Sequence, residues 1–330
     1  MRLRTILLGI ITFTVGSASP AVAQRFPFER SFDVTGPSRL DVSTIRGRIE
    51  ITAGDPGRIV VVGMATVRVD WNVPANAADL ARRVANDPPI HRDGQTVTLR
   101  PPSDPAEQRA VTVSYVVRVP PETETTASSE SGATTVRGVN RAVVIRTQSA
   151  AIDVMQLGST AVVTTGSGSV TAEGVAGSLT ITTSSSSITA RAVAGDLRVR
   201  TKSGAVDAAL SGEGNADVET GSSAIRLSGI RGAIIAATQS GRVSLQGVPR
   251  RDWNASAGSG SIDITTESPV PFTLDASSGS GSVKVIGASV EGSVSKRKVA
   301  GSIAGGGPLV KVFSRSGSIV VRSGGVLSTR

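Results

Sequence analysis

"TTGSGSVTAEGVAGSLTITTSSSSITARAV", residues 164–193, has the Ser, Thr and Gly content of a flexible linker, yet Val170 and Ile188 hold equivalent places 18 residues apart. The equivalence extends in both directions. With Thr134, Ile152, Val170, Ile188, Val206, Ile225, Val243, Ile262, Val283, Ile303 and Ile319 as references, the spacings are 18, 18, 18, 18, 19, 18, 19, 21, 20 and 16. Every reference is β-branched. Three residues before it stands Ser in ten of the eleven cases, with Ala300 the exception, and two before it stands Gly in eight. Gly reaches backbone conformations closed to other residues, and a Ser hydroxyl bonds the backbone of a turn, so the pair marks a recurring bend.

Apolar residues recur at offsets −9, −7, 0, +2 and +5: Leu179, Ile181, Ile188, Ala190 and Val193 in one unit, Ala216, Val218, Ile225, Leu227 and Ile230 in another. Pairs two apart are the signature of strands with one buried face. Each unit reads as a strand, a Ser-Gly bend, a second strand and a turn. Such units stack either as an antiparallel meander or as a solenoid whose equivalent strands pair in parallel. Charge favours the solenoid: Arg198 falls opposite Asp217, Arg200 opposite Glu219, Asp207 opposite Arg226 and Asp263 opposite Lys284, each one unit later. In a parallel stack such residues lie about 4.8 Å apart, where opposite charges help. A coil of this kind cannot bury enough surface alone, so neighbouring coils must stabilise one another.

The bulk composition agrees. The chain has 330 residues, 39% of them hydrophobic but only 3% aromatic, with 37 Gly, which suits a thin core of Val, Ile, Leu and Ala. Residues 1–23 read as a secretory signal peptide: Arg2 and Arg4, an apolar run from Ile6 to Val15, and Ala21-Val22-Ala23 before the cleavage point. No later apolar run is long enough to span a bilayer, so the mature chain is expected to have no transmembrane segment and to be periplasmic, cell-surface or secreted. With no Cys, neither disulfides nor a lipidated cysteine contribute.

Upstream, Leu40, Val42, Ile49 and Ile51 repeat the template once, giving a first coil. The register then breaks: residues 58–71, 95–100 and 109–119 read as strands, and 76–85 as a short helix stopped by Pro88-Pro89. This predicts an elaborated β cap with the first coil over 24–121 and solenoid repeats over 122–330. The whole is expected to be all-β: a parallel β-solenoid of about eleven two-strand coils, mostly of 18 to 19 residues.

The order of a leader, "RLDVSTIRGRIEIT" (39–52), "VTVSYVVRVP" (111–120) and repeated "SGSV" units resembles the bacterial putative-adhesin family of exported β-strand-repeat proteins. The resemblance implies a repeat fold and an envelope or surface location; the family carries no assigned function.

The chemistry of catalysis is thin. His91, the one histidine, sits by "RDGQ" (92–95), which reads as a hairpin turn, and a second His for a hydrolase triad does not exist. No G-x-S-x-G elbow is present. Asp217 and Glu219 are paired carboxylates on one outward face, as a polysaccharide-cleaving lyase or glycosidase would need, but Arg198 and Arg200 beside them point to a structural charge ladder. No metal-ligand cluster, phosphate loop or other cofactor motif is found. Thr147, Thr165, Thr183, Thr201, Thr220 and Thr238 form one column. It reads as hydroxyl bonding within the bend, in preference to a face for ice or sugar.

Charge is distributed unevenly. From residue 284 to 330 there are eight basic residues against Glu291 alone, whereas 24–283 is balanced. Lys296-Arg297-Lys298 is the densest part and is expected to project as a loop. It is the candidate anion-binding site, for an envelope lipid headgroup or glycan, or it blunts an open strand edge. Another envelope protein is a further expected partner. Nucleic acid is not, since no aromatics interleave with the basic residues. The expectation is a non-enzymatic envelope scaffold or adhesin-like binding surface, with the polysaccharide-cleaving enzyme as the alternative.

Overall fold

The structure, a computed structural model, describes residues 23–69, 73–266 and 270–324; the expected leader lies outside these apart from its last residue. The protein is a parallel β-solenoid. Among the described residues, 14 strands form one sheet and 15 the other, and each coil contributes one strand to each. Val170, Ile188, Val206, Ile225 and Val243 stack as direct parallel partners and are all buried. Opposite them, Leu179, Leu197, Ala216 and Ile234 form the facing column of the other sheet. These columns, those two residues further along each strand, the column of Val175, Val193, Leu210 and Ile230, and the threonines of the bend make up the interior of the coils. Hence the core is one side chain thick on each side and needs few aromatics.

The corners explain the Ser-Gly signal. A Cβ at Gly204 would collide with the Ser186 carbonyl oxygen, and one at Gly241 with that of Ser223. The previous coil's backbone occupies the space a side chain would need at these two positions, which therefore take Gly. The threonine column lies inside the bend. Thr147 Oγ1 donates to Thr165 Oγ1 at 2.9 Å, Thr165 to the Ser167 carbonyl at 2.9 Å, and Thr238 to the Ser223 carbonyl at 3.1 Å. All six threonines are buried, so the column presents no hydroxyl face to a ligand. At the opposite corner, Asp196 Oδ1 accepts from Asn215 N at 2.8 Å, and Asn215 Oδ1 from Ala233 N at 3.0 Å. Each side chain thus takes up the amide at the same position of the next coil.

Spatial order departs from sequence order at both ends. The strands Leu309–Ser314 and Ile319–Ser323 insert between the coil at 253–266 and the coil at 272–286. Val283 therefore stacks on Ile319, not on Ile262, and the expected Asp263–Lys284 pairing is corrected: Asp263 lies opposite Val320 and accepts from Arg322 Nη1 at 3.2 Å. Ile303 is not a coil position either. It belongs to Lys298–Ile303, which pairs antiparallel with Phe272–Ser278 and with Glu291–Val294 and closes that end as a hairpin. The first departure arises because any coil with the template's apolar offsets can stack on any other; the second because an antiparallel hairpin strand can share the template's spacing.

The N-terminal end mirrors this. The expected first coil, Ser38–Thr44 with Ile49–Ala53, is not outermost. A coil of Thr96–Leu99 and Val111–Val119 lies beyond it, later in sequence but further out. Beyond that, Arg58–Val67 and then Arg25–Asp33 extend one sheet antiparallel, and Ile90–Asp93 extends the other. Helix α1 (Ala77–Asn86) buries Leu80, Ala81 and Val84 against this extension. A second helix, α2 (Pro105–Ala110), precedes Val111–Val119; Asp104 caps it by accepting from Ala106 N at 2.8 Å. Phe28 packs edge-on to Tyr115, ring centroids 6.2 Å apart, and seals the interior.

Candidate functional site

Outward side chains of adjacent rungs meet on both sheets. On one, Arg198 Nε lies 3.4 Å from Asp217 Oδ2, Arg200 Nη2 2.7 Å from the same oxygen, and Arg200 Nε 3.2 Å from Glu219. The hydrogen bond from Arg200, followed by nearby guanidinium charge, holds the Asp217 carboxyl below its ordinary range against the opposing effect of burial. On the other, Arg226 is 4.0 Å from Asp207, while Arg191 binds Asp207 bidentately and lowers its pKa in the same way. Arg191 was missed because it lies diagonally, two residues beyond Asp207's direct partner Thr189. Its signal was present, since diagonal neighbours are within reach of a long side chain.

The first network borders a groove of about 450 Å³ on the outer face, lined by Thr180, Asp196, Arg198, Asn215, Asp217 and Ile235. Its carboxylates are engaged, Asp196 by Asn215 and Asp217 by two arginines. One Asp217 oxygen is buried without a partner. A second cleft, about 230 Å³, lies in the cap between Arg83, His91, Ser103 and Glu107. Burial, and then Asp104, raise the Glu107 pKa, opposed by Arg83 at 3.7 Å. His91 is exposed on the edge strand Ile90–Asp93. No group of three or more His, Cys, Asp or Glu suited to a metal ion occurs among the described residues.

Lys296, Arg297 and Lys298 sit at the turn between Glu291–Val294 and Lys298–Ile303, all exposed. The turn is fastened through its backbone: the Lys296 carbonyl accepts from Val283 N at 2.9 Å and that of Arg297 from Ser278 N at 2.9 Å. Arg297 Nη1 donates to the Gly279 carbonyl at 3.1 Å. None of the three makes an ion pair among the described residues, and Lys284, Lys311 and Arg315 near the same end are likewise exposed without one. Beside the turn, Val294 is 65% exposed.

These features define a capped, two-sheet parallel solenoid with charge-laddered faces and one basic end. The chain matches Toastrack DUF4097 over residues 113–322 and belongs to that family. Two solved structures are similar at low identity. One is described as a putative cell adhesion protein from Clostridium sporogenes ATCC 15579 (10% identity, 90% of this chain and 99% of that one, TM-score 0.20). The other is described as a putative adhesin from Bacteroides fragilis NCTC 9343 (14% identity, 90% and 96%, TM-score 0.29). No curated protein matches.

Proposed function

We propose that the chain is an exported, non-enzymatic binding scaffold of the bacterial envelope that docks by its C-terminal end on an anionic surface. The observation that carries this reading is the turn Lys296-Arg297-Lys298, exposed and without ion pairs among the described residues, next to the exposed Val294. Cations for headgroup phosphates and small apolar side chains for the boundary beneath them are the combination an interfacial contact uses. The descriptions of the two similar structures as adhesion proteins accord with a binding role. So does the state of the acids: the groove carboxylates are matched by arginine or amide partners, whereas cleavage of a polysaccharide needs one carboxyl free to move a proton.

Export rests on residues 1–23. No helix among the described residues is long and apolar enough to cross a membrane. Sedimentation of the mature chain with phosphatidylglycerol vesicles and with phosphatidylcholine vesicles tests the reading. Binding to the first and not the second is expected. Equal recovery with both, or with neither, removes it.

A further inference from the structure

The coil at 309–323 fills a slot whose two walls precede it in sequence. On one sheet Val310 lies between Trp253 and Leu274; on the other Ile319 lies between Ile262 and Val283. All are buried. The segment leading in, 304–308, has three successive residues in the left-handed region: Ala304 at φ 52°, Gly305 at 89° and Gly306 at 81°. Ala304 pays a steric penalty there that glycine does not. The bend is therefore strained, while at Gly305 no atom crowds the backbone.

The walls are also fitted to each other. Trp253 and Leu274 are 21 residues apart, as are Ile262 and Val283. With the coil absent, direct stacking would keep every apolar column and set Asp263 opposite Lys284, a favourable cross-strand pair. The same sequence thus supports two orders, one with the coil inside and one with the slot closed.

We propose that the coil 309–323 is an exchangeable rung: it leaves its slot by rotation about 304–308 and enters the equivalent slot of a second copy, so that two copies pair by reciprocal exchange. A second copy is the fitting occupant because the slot makes specific demands. Asp252 Oδ1 takes the Leu309 amide at 2.9 Å and Asp263 takes the Arg322 guanidinium. The same coil from another copy meets them identically, so monomer and exchanged dimer differ in the hinge and in the entropy of association.

The absence of cysteine gives a clean background for a test. Asp263 and Val320 are direct, outward-facing partners, so Asp263→Cys and Val320→Cys introduced into separate chains are held in bridging register only across an exchanged interface, and chance collision sets the background. After the two single variants are incubated together at high concentration and oxidised, a covalent heterodimer is expected. It should exceed at least fivefold the yield from Asp263→Cys with Thr135→Cys, a distant residue on the same face. Deleting Gly305 and Gly306 should raise the dimer fraction in light scattering at least tenfold, since a shorter hinge cannot close on its own chain. Both cysteines in one chain should lock the rung and keep the chain monomeric. Heterodimer no greater than the Thr135 control overturns the proposal, as does a shortened-hinge chain that is folded by circular dichroism and monomeric. If that chain does not fold, the mixed single variants decide alone.

Discussion

Arg191 binds both carboxylate oxygens of Asp207, Nη1 to Oδ1 at 3.0 Å and Nη2 to Oδ2 at 2.7 Å, while Arg226, directly beside Asp207 in the next coil, stays 4.0 Å away. The diagonal partner prevails because a guanidinium gains more from two parallel hydrogen bonds than from mere closeness of charge. Both groups are partly exposed, which screens the pair. A double-mutant cycle in urea should give a coupling of about 1 kcal/mol for Arg191→Ala with Asp207→Ala, and under about 0.5 kcal/mol for Arg226→Ala with Asp207→Ala. The reverse order would mean that the row contact, not the diagonal, carries the ladder.

Acid should act on the same groups. Asp207 and Asp217 both have lowered pKa values, through hydrogen bonds from Arg191 and Arg200 respectively. A carboxyl held lower when folded than when unfolded stabilises the fold above the unfolded value of about 3.9, and that contribution is lost as pH falls through the folded value. The urea midpoint should thus decline below about pH 4. Asp207→Asn with Asp217→Asn should make the chain less stable at pH 6 and flatten the decline. An unchanged pH profile in the double variant would place the acid sensitivity elsewhere.

Val206 lies between Ile188 and Ile225 in the buried column. Val206→Asp would set a carboxylate among apolar side chains with no basic partner, at a cost of several kcal/mol. Val206→Ile adds one methylene to a packed site and should cost about 1 kcal/mol. Denaturant melts of the two variants separate charge from volume; equal losses would mean that the column tolerates a solvated carboxylate.

The period identified the coils and placed Val206 between its two neighbours, because an 18-residue repeat with β-branched residues at one offset has one consistent stacking through the middle of the chain. The ends were not legible in this way. Ile319 and Val283 present the same apolar face to Ile262, and nothing local distinguishes them; long-range closure decides. Ile303 kept the spacing and is buried, but in an antiparallel hairpin strand that the template does not describe. The strand Arg25–Asp33 had a signal in Phe26, Phe28 and Phe32, which alternate, and α2 had one in Asp104-Pro105, yet six residues are too few to show helical periodicity. At the basic end the exposure of Lys296, Arg297 and Lys298 was readable from charge and loosened spacing. The exposed Val294 beside them was not, since exposure of an apolar strand residue depends on where the sheet stops.

Docking at that end can be tested quantitatively. Changing Lys296, Arg297 and Lys298 to Gln removes three charges from a turn that contributes no side chain to the buried columns. Each basic residue close to an anionic surface contributes about 1 kcal/mol, so the triple variant should bind phosphatidylglycerol vesicles roughly a hundredfold more weakly. Raising the salt should weaken the wild type toward the variant, because screening shortens the reach of exposed charge to about 3 Å at 1 M. The melting profile should change little, since the backbone bonds at Lys296 and Arg297 persist and only the exposed bond from Arg297 Nη1 to the Gly279 carbonyl is lost. Val294→Ser should weaken binding in a way that salt does not mimic, since its contribution is burial of apolar area. A triple variant that binds as the wild type does, while aggregating more readily, would assign the lysines and arginine to protection of the open sheet edge, and the ligand would then be sought along the groove beside Arg198 and Asp217.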